Sequence, residues 1–197
     1  WSIAQHPDGR IWAGTWSGGL FRQEGDRFAR VPGFDPGGPI WALQYIPEDH
    51  ALWIGCARGL LRWPDSAPDS PPVSIGAAAN VCTFVRDREG VVWYGILGGG
   101  LGRLASGVQT RFRKADGLPS DSINALLADA DGTLWIGTAD GGLSRYRAGR
   151  FATIGTAQGL PNNTICHIAD DGRGFLWLST HHGIVRLAKT DLHRCAD

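Results

Sequence analysis

The chain has 197 residues, 19 basic and 19 acidic, for a formal net charge of zero, so it lacks the basic excess by which domains hold nucleic-acid phosphates. No run of 18 apolar residues could span a membrane as a helix, and no charged stretch followed by an apolar run opens the chain as an export signal. Gly (29 residues) and Trp (nine) are abundant and only 19% of residues are charged, which excludes a disordered charged tail and disfavours a helical bundle, because Gly costs about 1 kcal/mol in a helix interior.

One motif returns along the chain. The first copy opens inside a strand at Trp1, turns at Asp8-Gly9, and runs through Trp12-Ala13-Gly14-Thr15 to Gly19-Leu20-Phe21-Arg22. The second has Trp41 early in its first strand, a turn at Asp49-His50, then Trp53-Ile54-Gly55-Cys56 and Gly59-Leu60-Leu61-Arg62. A Pro-rich stretch from Pro64 to Pro72 replaces a regular connection there. The third has Cys82, Glu89-Gly90, Trp93-Tyr94-Gly95-Ile96 and Gly100-Leu101-Gly102-Arg103. The fourth shows the unit most clearly. Strand a is read over Ile123 to Leu127, a hairpin turn at Asp131-Gly132, strand b over Leu134 to Thr138, and a turn at Gly141-Gly142. Strand c follows over Leu143 to Tyr146, a turn at Ala148-Gly149, and strand d over Phe151 to Ile154. The fifth has Cys166, Arg173-Gly174, Trp177-Leu178-Ser179-Thr180 and Gly183-Ile184-Val185-Arg186. No strand d follows it, and Thr190 to Asp197 could form one helical turn. The steps between the tryptophans are 41, 40, 42 and 42 residues.

Four short strands in about 41 residues make one propeller blade. The expected fold is therefore an all-β propeller of five four-stranded repeats, the last lacking its outer strand. Approximate blade limits are 1–39, 40–79, 80–121, 122–163 and 164–197, in a single segment. A sandwich needs no fixed repeat, helical and leucine-rich repeats have other spacings, and a β-helix coil is roughly half this long. Either five blades close into a ring or the chain is an arc of a larger one. The arc is the expectation, since the chain starts inside a strand and contains no Met, as a processed or excised piece would. An arc leaves apolar blade faces that invite self-association.

The run Gly117-Leu118-Pro119-Ser120-Asp121-Ser122-Ile123, then Asp131 to Thr138, then Gly142-Leu143-Ser144-Arg145-Tyr146, resembles the two-component regulator propeller repeat. Gly159-Leu160-Pro161-Asn162-Asn163-Thr164-Ile165, Leu176 to Thr180 and Gly183 to Arg186 repeat it. Copies two and three depart from it, having no Gly-Leu-Pro before strand a. The resemblance implies the periplasmic sensor half of a bacterial receptor, with one or two seven-bladed propellers. An immunoglobulin-like domain, a membrane helix and a kinase or diguanylate cyclase output would follow. It implies ligand or partner binding, oligosaccharides in some members, and no enzymatic chemistry in the propeller itself. The expected partners are such a ligand, the remaining blades and the following immunoglobulin-like domain, with no nucleic acid and no membrane contact by this segment.

Strand alternation puts the b-to-c and d-to-a loops on one face and the Asp-Gly turns on the other. The turns vary little and read as structural. The b-to-c loops and the early strand-a residue vary, and variation on a constant frame is where specificity sits. The candidate ligand-binding residues are therefore Trp16, Trp41, Arg58, Asn124, Asp140, His181 and His182. Indole faces suit sugar rings, and Arg, Asn and Asp can bond hydroxyls or carboxylates. Against this, Trp1 and Trp41 could plug an inner channel, Trp16 could be an ordinary rim residue, and Arg58 and Asp140 could be solvated charges. Trp12, Trp53, Trp93, Trp135 and Trp177 read as the repeated core, and the recurrent Arg22, Arg62, Arg103, Arg145 and Arg186 as braces. No cofactor, metal or catalytic residue is expected. Adjacent His181 and His182 chelate poorly, and Cys56, Cys82, Cys166 and Cys195 fit no zinc spacing. Cys56 with Cys82 is the one disulfide pair worth testing. The alternatives are a protein-interaction scaffold, or a polysaccharide lyase or hydrolase using Asp140 and His182 as an acid–base pair.

Overall fold

A computed structural model describes residues 1–67, 70–76 and 80–196. Residues 68 and 69 of the Pro-rich stretch, the expected blade limit at residue 79 and the terminal Asp197 lie outside the described residues. Five antiparallel sheets follow one another along the chain, each running in sequence order from strand a outward. Each is a propeller blade. The chain divides into two compact units, Trp1–Cys82 and Thr83–Asp197.

The first unit holds two blades. One comprises β1 (Ser2–Gln5), β2 (Ile11–Gly14), β3 (Leu20–Glu24) and β4 (Arg27–Arg30). The other comprises β5 (Ile40–Ile46), β6 (Ala51–Cys56), β7 (Gly59–Pro64) and a two-residue β8 (Val73–Ser74). The shortness of β8 follows from the prolines ahead of it, which cannot donate to a ladder. The third blade's first strand, β9 (Val81–Arg86), begins at the unit boundary. It is joined in the second unit by β10 (Val92–Ile96), β11 (Gly100–Ala105) and β12 (Val108–Phe112). The fourth is β13 (Ile123–Ala128), β14 (Leu134–Thr138), β15 (Leu143–Arg147) and β16 (Arg150–Ile154). The fifth has three strands, β17 (Ile165–Asp170), β18 (Phe175–Thr180) and β19 (Gly183–Ala188). Helix α1 (Lys189–Ala196) follows directly. Its eight residues make two turns where the sequence suggested one. The extra length is held by tertiary contacts, because Leu192 is its only buried residue.

Burial falls across each blade. Strand b is buried throughout in β6, β10 and β14, as apolar runs covered on both faces are, whereas β4 and β12 are largely exposed edges. Two backbone features set the frame. The a-to-b turn needs a left-handed residue, and Gly132 supplies it at φ +82°. His50 takes the same role at φ +44° in the one copy without a turn glycine. The glycine two residues after the strand-b Trp lets the next strand a approach. A Cβ on Gly137 would lie 2.8 Å from Ile165 Cγ2, and one on Gly14 2.5 Å from Ile40 Cγ2. Side chains from both sides then close cores around Ile40, Leu52 and Ile54 in the first unit. In the second unit the cores form around Ile123, Leu134 and Ile136, and around Trp135, Ile165 and Leu178.

Candidate functional site

A three-residue group recurs at one edge of the blades. The strand-b Trp and the strand-c Arg are direct register partners in all five, as Trp12 with Arg22, Trp53 with Arg62, Trp93 with Arg103, Trp135 with Arg145, and Trp177 with Arg186. The guanidinium lies over the indole at 5.7 Å in the first blade and 5.6 Å in the third. From the third blade on, an Asp six residues before the Trp completes the group. The Trp93 indole N–H donates to Asp87 at 2.9 Å and that of Trp135 to Asp129 at 3.3 Å. The carboxylate also caps the turn, Asp171 accepting from the N–H groups of Arg173 and Phe175 at 2.7 and 3.1 Å. Desolvation pushes the Asp171 pKa up, but those donors and the Arg186 charge outweigh it and hold the carboxyl below its ordinary range. His6 and Pro47 stand at this place in the first two blades. There His6 Nδ1 accepts from the Asp8 N–H at 3.2 Å.

Trp53, Trp93 and Trp135 are buried, and Trp12 is half-buried. Trp177 departs from the expected core, being 43% exposed. Trp135 has the His193 ring 5.2 Å above it, whereas over Trp177 lies the Arg186 guanidinium at 5.7 Å, leaving much of the indole to solvent.

The edge carrying this group opens as a crevice between blades, and three such crevices differ in what fills them. Between the first and second blades it is about 240 Å³, narrowed by Trp63, whose ring lies 6.1 Å from Trp12. Arg22 is engaged there by Glu24 at 2.7 Å. Beside it, the Tyr45 hydroxyl donates to Asp65 at 2.5 Å. That bond, and burial after it, push the Tyr45 pKa up to about 12.

Between the fourth and fifth blades α1 fills the crevice. Lys189 Nζ bridges Asp129 at 2.7 Å and Asp170 at 2.8 Å. Desolvation lowers the Lys189 pKa, but the two carboxylates outweigh it and hold it above its usual value. Arg145 donates to the main-chain carbonyls of His193 and Ala196, both at 3.3 Å. Between the third and fourth blades the crevice is open, about 590 Å³, with Trp93, Phe112 and Tyr146 at its base and Asp87, Glu89 and Asp131 at its mouth. It lies on the side of the Asp-Gly turns, which the sequence reading took as purely structural. The Asp six residues before the Trp, at Asp87, Asp129 and Asp171, is the sequence signal that marks this edge.

The candidate residues on the other face are only partly brought together. Trp16 pairs with Trp1, ring centroids 5.0 Å apart at 54°, and the two are 59% and 76% exposed. Trp41 is the extra residue of a β-bulge between Ile40 and Ala42, and Asn124 and Cys166 stand at matching bulges. A bulge re-aims a side chain and is a common device beside functional sites. Asn124 uses it structurally, donating from Nδ2 to the Ile165 carbonyl at 3.1 Å and so tying the fourth blade to the fifth. Arg58 is exposed but donates to the Asp35 carbonyl at 3.0 Å. Asp140 and His181 are exposed loop residues. His182 lies with Nδ1 3.4 Å from Asn162 Nδ2. Cys56 is a buried thiol rather than half of a disulfide with Cys82, and burial pushes its pKa up. Among the described residues no cluster of three metal-ligating side chains occurs, and no helix is long and apolar enough to cross a membrane.

The class is thus a β-propeller built on a Trp-x-Gly repeat. Residues 117–140 and 159–182, which run into the fourth and fifth blades, match the model of the two-component regulator propeller family. The extracellular domain of the hybrid two-component system BT3049 from B. thetaiotaomicron superposes with a TM-score of 0.79 at 21% identity, over 94% of this chain and 26% of that one. That of the one-component system BT4673 from the same organism gives 0.76 at 22%, over 94% and 27%. The chain therefore spans about a quarter of their length. Virginiamycin B lyase from Staphylococcus aureus gives 0.70 at 15%, over 95% and 69%. At these identities the likeness is one of fold. No curated protein sequence matches the chain.

Proposed function

We propose that the chain is part of the sensing propeller of a bacterial signal-transduction receptor, a module outside the cytoplasm that binds a ligand or partner and performs no chemistry. The observation that carries this is the pair of two-component regulator propeller repeats at 117–140 and 159–182. The extracellular placement of the similar B. thetaiotaomicron domains supports it. The proposed ligand is an oligosaccharide or other small polar molecule met at the b-to-c loop rim. Trp16, paired with Trp1, offers an exposed indole face there, and the bulged Trp41 is turned out of its ladder. Binding would act by preferring one packing of this module against the domain that follows, since a ligand shifts an equilibrium only by its differential affinity.

A glycan panel titrated by calorimetry tests the reading. The expected result is one binding class, weakened about tenfold in Trp16→Ala with folding intact, the loss of one aromatic stacking partner. Affinity unchanged in both Trp16→Ala and Trp41→Ala would place the ligand elsewhere. Turnover of a glycan that disappears in Asp140→Asn would replace the sensor by a lyase or hydrolase.

A further inference from the structure

The repeat gives every blade the same outward apolar residue, and one copy of it is uncovered. The strand-c residue paired with the position two after the Trp is Leu20, Leu60, Leu101 and Leu143 in the first four blades. All four are at most 1% exposed. In the fifth blade that residue is Ile184, paired with Ser179, and it is 73% exposed. The cores show what covers the place elsewhere. Leu20 shares a cluster with Leu43, Leu143 shares one with Ile168, and Leu126 packs on the cluster that holds Leu101. Leu43, Leu126 and Ile168 are one repeat position, in strand a of the following blade, each paired with the residue just after the strand-b Trp.

The same position in the first blade is Ile3, paired with Ala13, and it is 71% exposed. Both halves of the blade-to-blade contact are therefore present and open, a strand-c isoleucine on the second unit and a strand-a isoleucine on the first. An apolar side chain that four blades bury and one leaves in water marks an interaction surface, and the internal contacts name the surface that matches it.

We propose that the outer face of the fifth blade is a self-association site that takes strand a of the first blade of a second copy, with Ile3 seated on Ile184 as Ile168 is seated on Leu143. The contact joins different surfaces of the two copies, so it is head-to-tail and leaves one open face of each kind for a further copy. It is looser than the contacts inside the chain. Ser179 stands where the other blades have glycine, and a Cβ at the matching Gly137 would lie 2.8 Å from Ile165 Cγ2, so the second copy's strand is held further out. A pairing of two fifth blades is the poorer arrangement. It would leave Ile3 in water and set strand c against strand c, whereas the internal contacts set strand c against strand a. The proposal does not rest on the sensor reading.

The test is sedimentation velocity of the whole chain from micromolar to near-millimolar concentration, with a reductant present because Cys166 and Cys195 are exposed thiols. A mass that rises with concentration is expected. Ile184→Asp and Ile3→Asp change exposed side chains and should leave the fold intact, which circular dichroism checks. Each should weaken association at least about tenfold, since a carboxylate would be buried without a partner. The two variants mixed should form a one-to-one complex, because each keeps the face that the other has lost. A monomer across the whole range would overturn the proposal. So would association indifferent to Ile184→Asp or to Ile3→Asp, the second being the mark of two fifth blades paired. A mixture of the two variants that stays monomeric would overturn it as well.

Discussion

Trp135 and Trp177 occupy the same repeat position, and their different surroundings make a paired prediction. Trp135 is 0% exposed. An indole buries ~200 Å², worth at most about 5 kcal/mol at ~25 cal/mol per Å². Trp135→Ala removes that area and leaves a cavity between β14 and α1. It also deprives Asp129 of its indole donor, while Lys189 still holds the carboxylate. The expected loss is about 3–5 kcal/mol, the range for large-to-small core changes. Trp177 is 43% exposed, so little more than half the area is at stake and no closed cavity forms. About 1–2 kcal/mol is expected for Trp177→Ala. Urea unfolding followed by far-UV circular dichroism reads the difference as a shift of midpoint at constant slope. Tryptophan fluorescence provides the second probe needed in a repeat array. Equal losses for the two variants would refute the reasoning, because burial would then not be what the position supplies. A loss below about 1 kcal/mol for Trp135→Ala would do the same.

Gly137→Ala should destabilise by about 1–3 kcal/mol, as overpacking does, since the added Cβ meets Ile165 Cγ2 at 2.8 Å. Gly132→Ala, with open space around its Cβ, should cost only the backbone strain of a left-handed residue, about 1 kcal/mol, and a denaturation series that reverses this order would contradict the close-approach account. Tyr45 is expected to ionise at about 12 rather than 10 because its hydroxyl donates to Asp65. Its neutral form is favoured in the folded state, so this contribution to stability is whole below pH 10 and is lost as pH rises toward about 12. Ultraviolet titration of tyrosinate checks this, and Asp65→Asn should bring the ionisation back toward 10.

The blades were readable because the repeat imposes itself residue by residue. The Trp-x-Gly run marks strand b, whose flanks are too tightly packed for another residue at the glycine. The limits of β13, β15 and β16 differ from the sequence reading by a single residue each. Helix α1 was less readable, because Leu192 is its only buried residue. Its last turn is met by Arg145, 48 residues before His193. The candidate site was readable as chemistry but not as geometry. Variable rim positions gave the exposed Trp16, Asp140, His181 and His182, yet no local pattern marks the pairing of Trp16 with Trp1. Nor does any pattern show that the Asn124 amide is spent on Ile165. The bulge that displaces Trp41, Asn124 and Cys166 has no signature of its own, since it is a register shift between strands.

Recurrence and selectivity make opposite demands on a repeated position. A side chain that must brace every blade cannot also be tuned to one ligand, and so the Trp–Arg register pairs are the same five times. The space above them carries no such constraint. It is narrowed by Trp63 in one crevice, filled by α1 in another and open in a third. Filling by the chain's own residues removes a crevice from recognition and adds to stability. Leaving one open forgoes that stability. The Trp93 indole is buried there beside Tyr146, and the half-buried Arg103 guanidinium lies over it, in a frame fixed by strand pairing on both sides. The open crevice, with Arg103 in its lining and Asp87, Glu89 and Asp131 at its mouth, is therefore the place in this unit where the fixed frame borders open space.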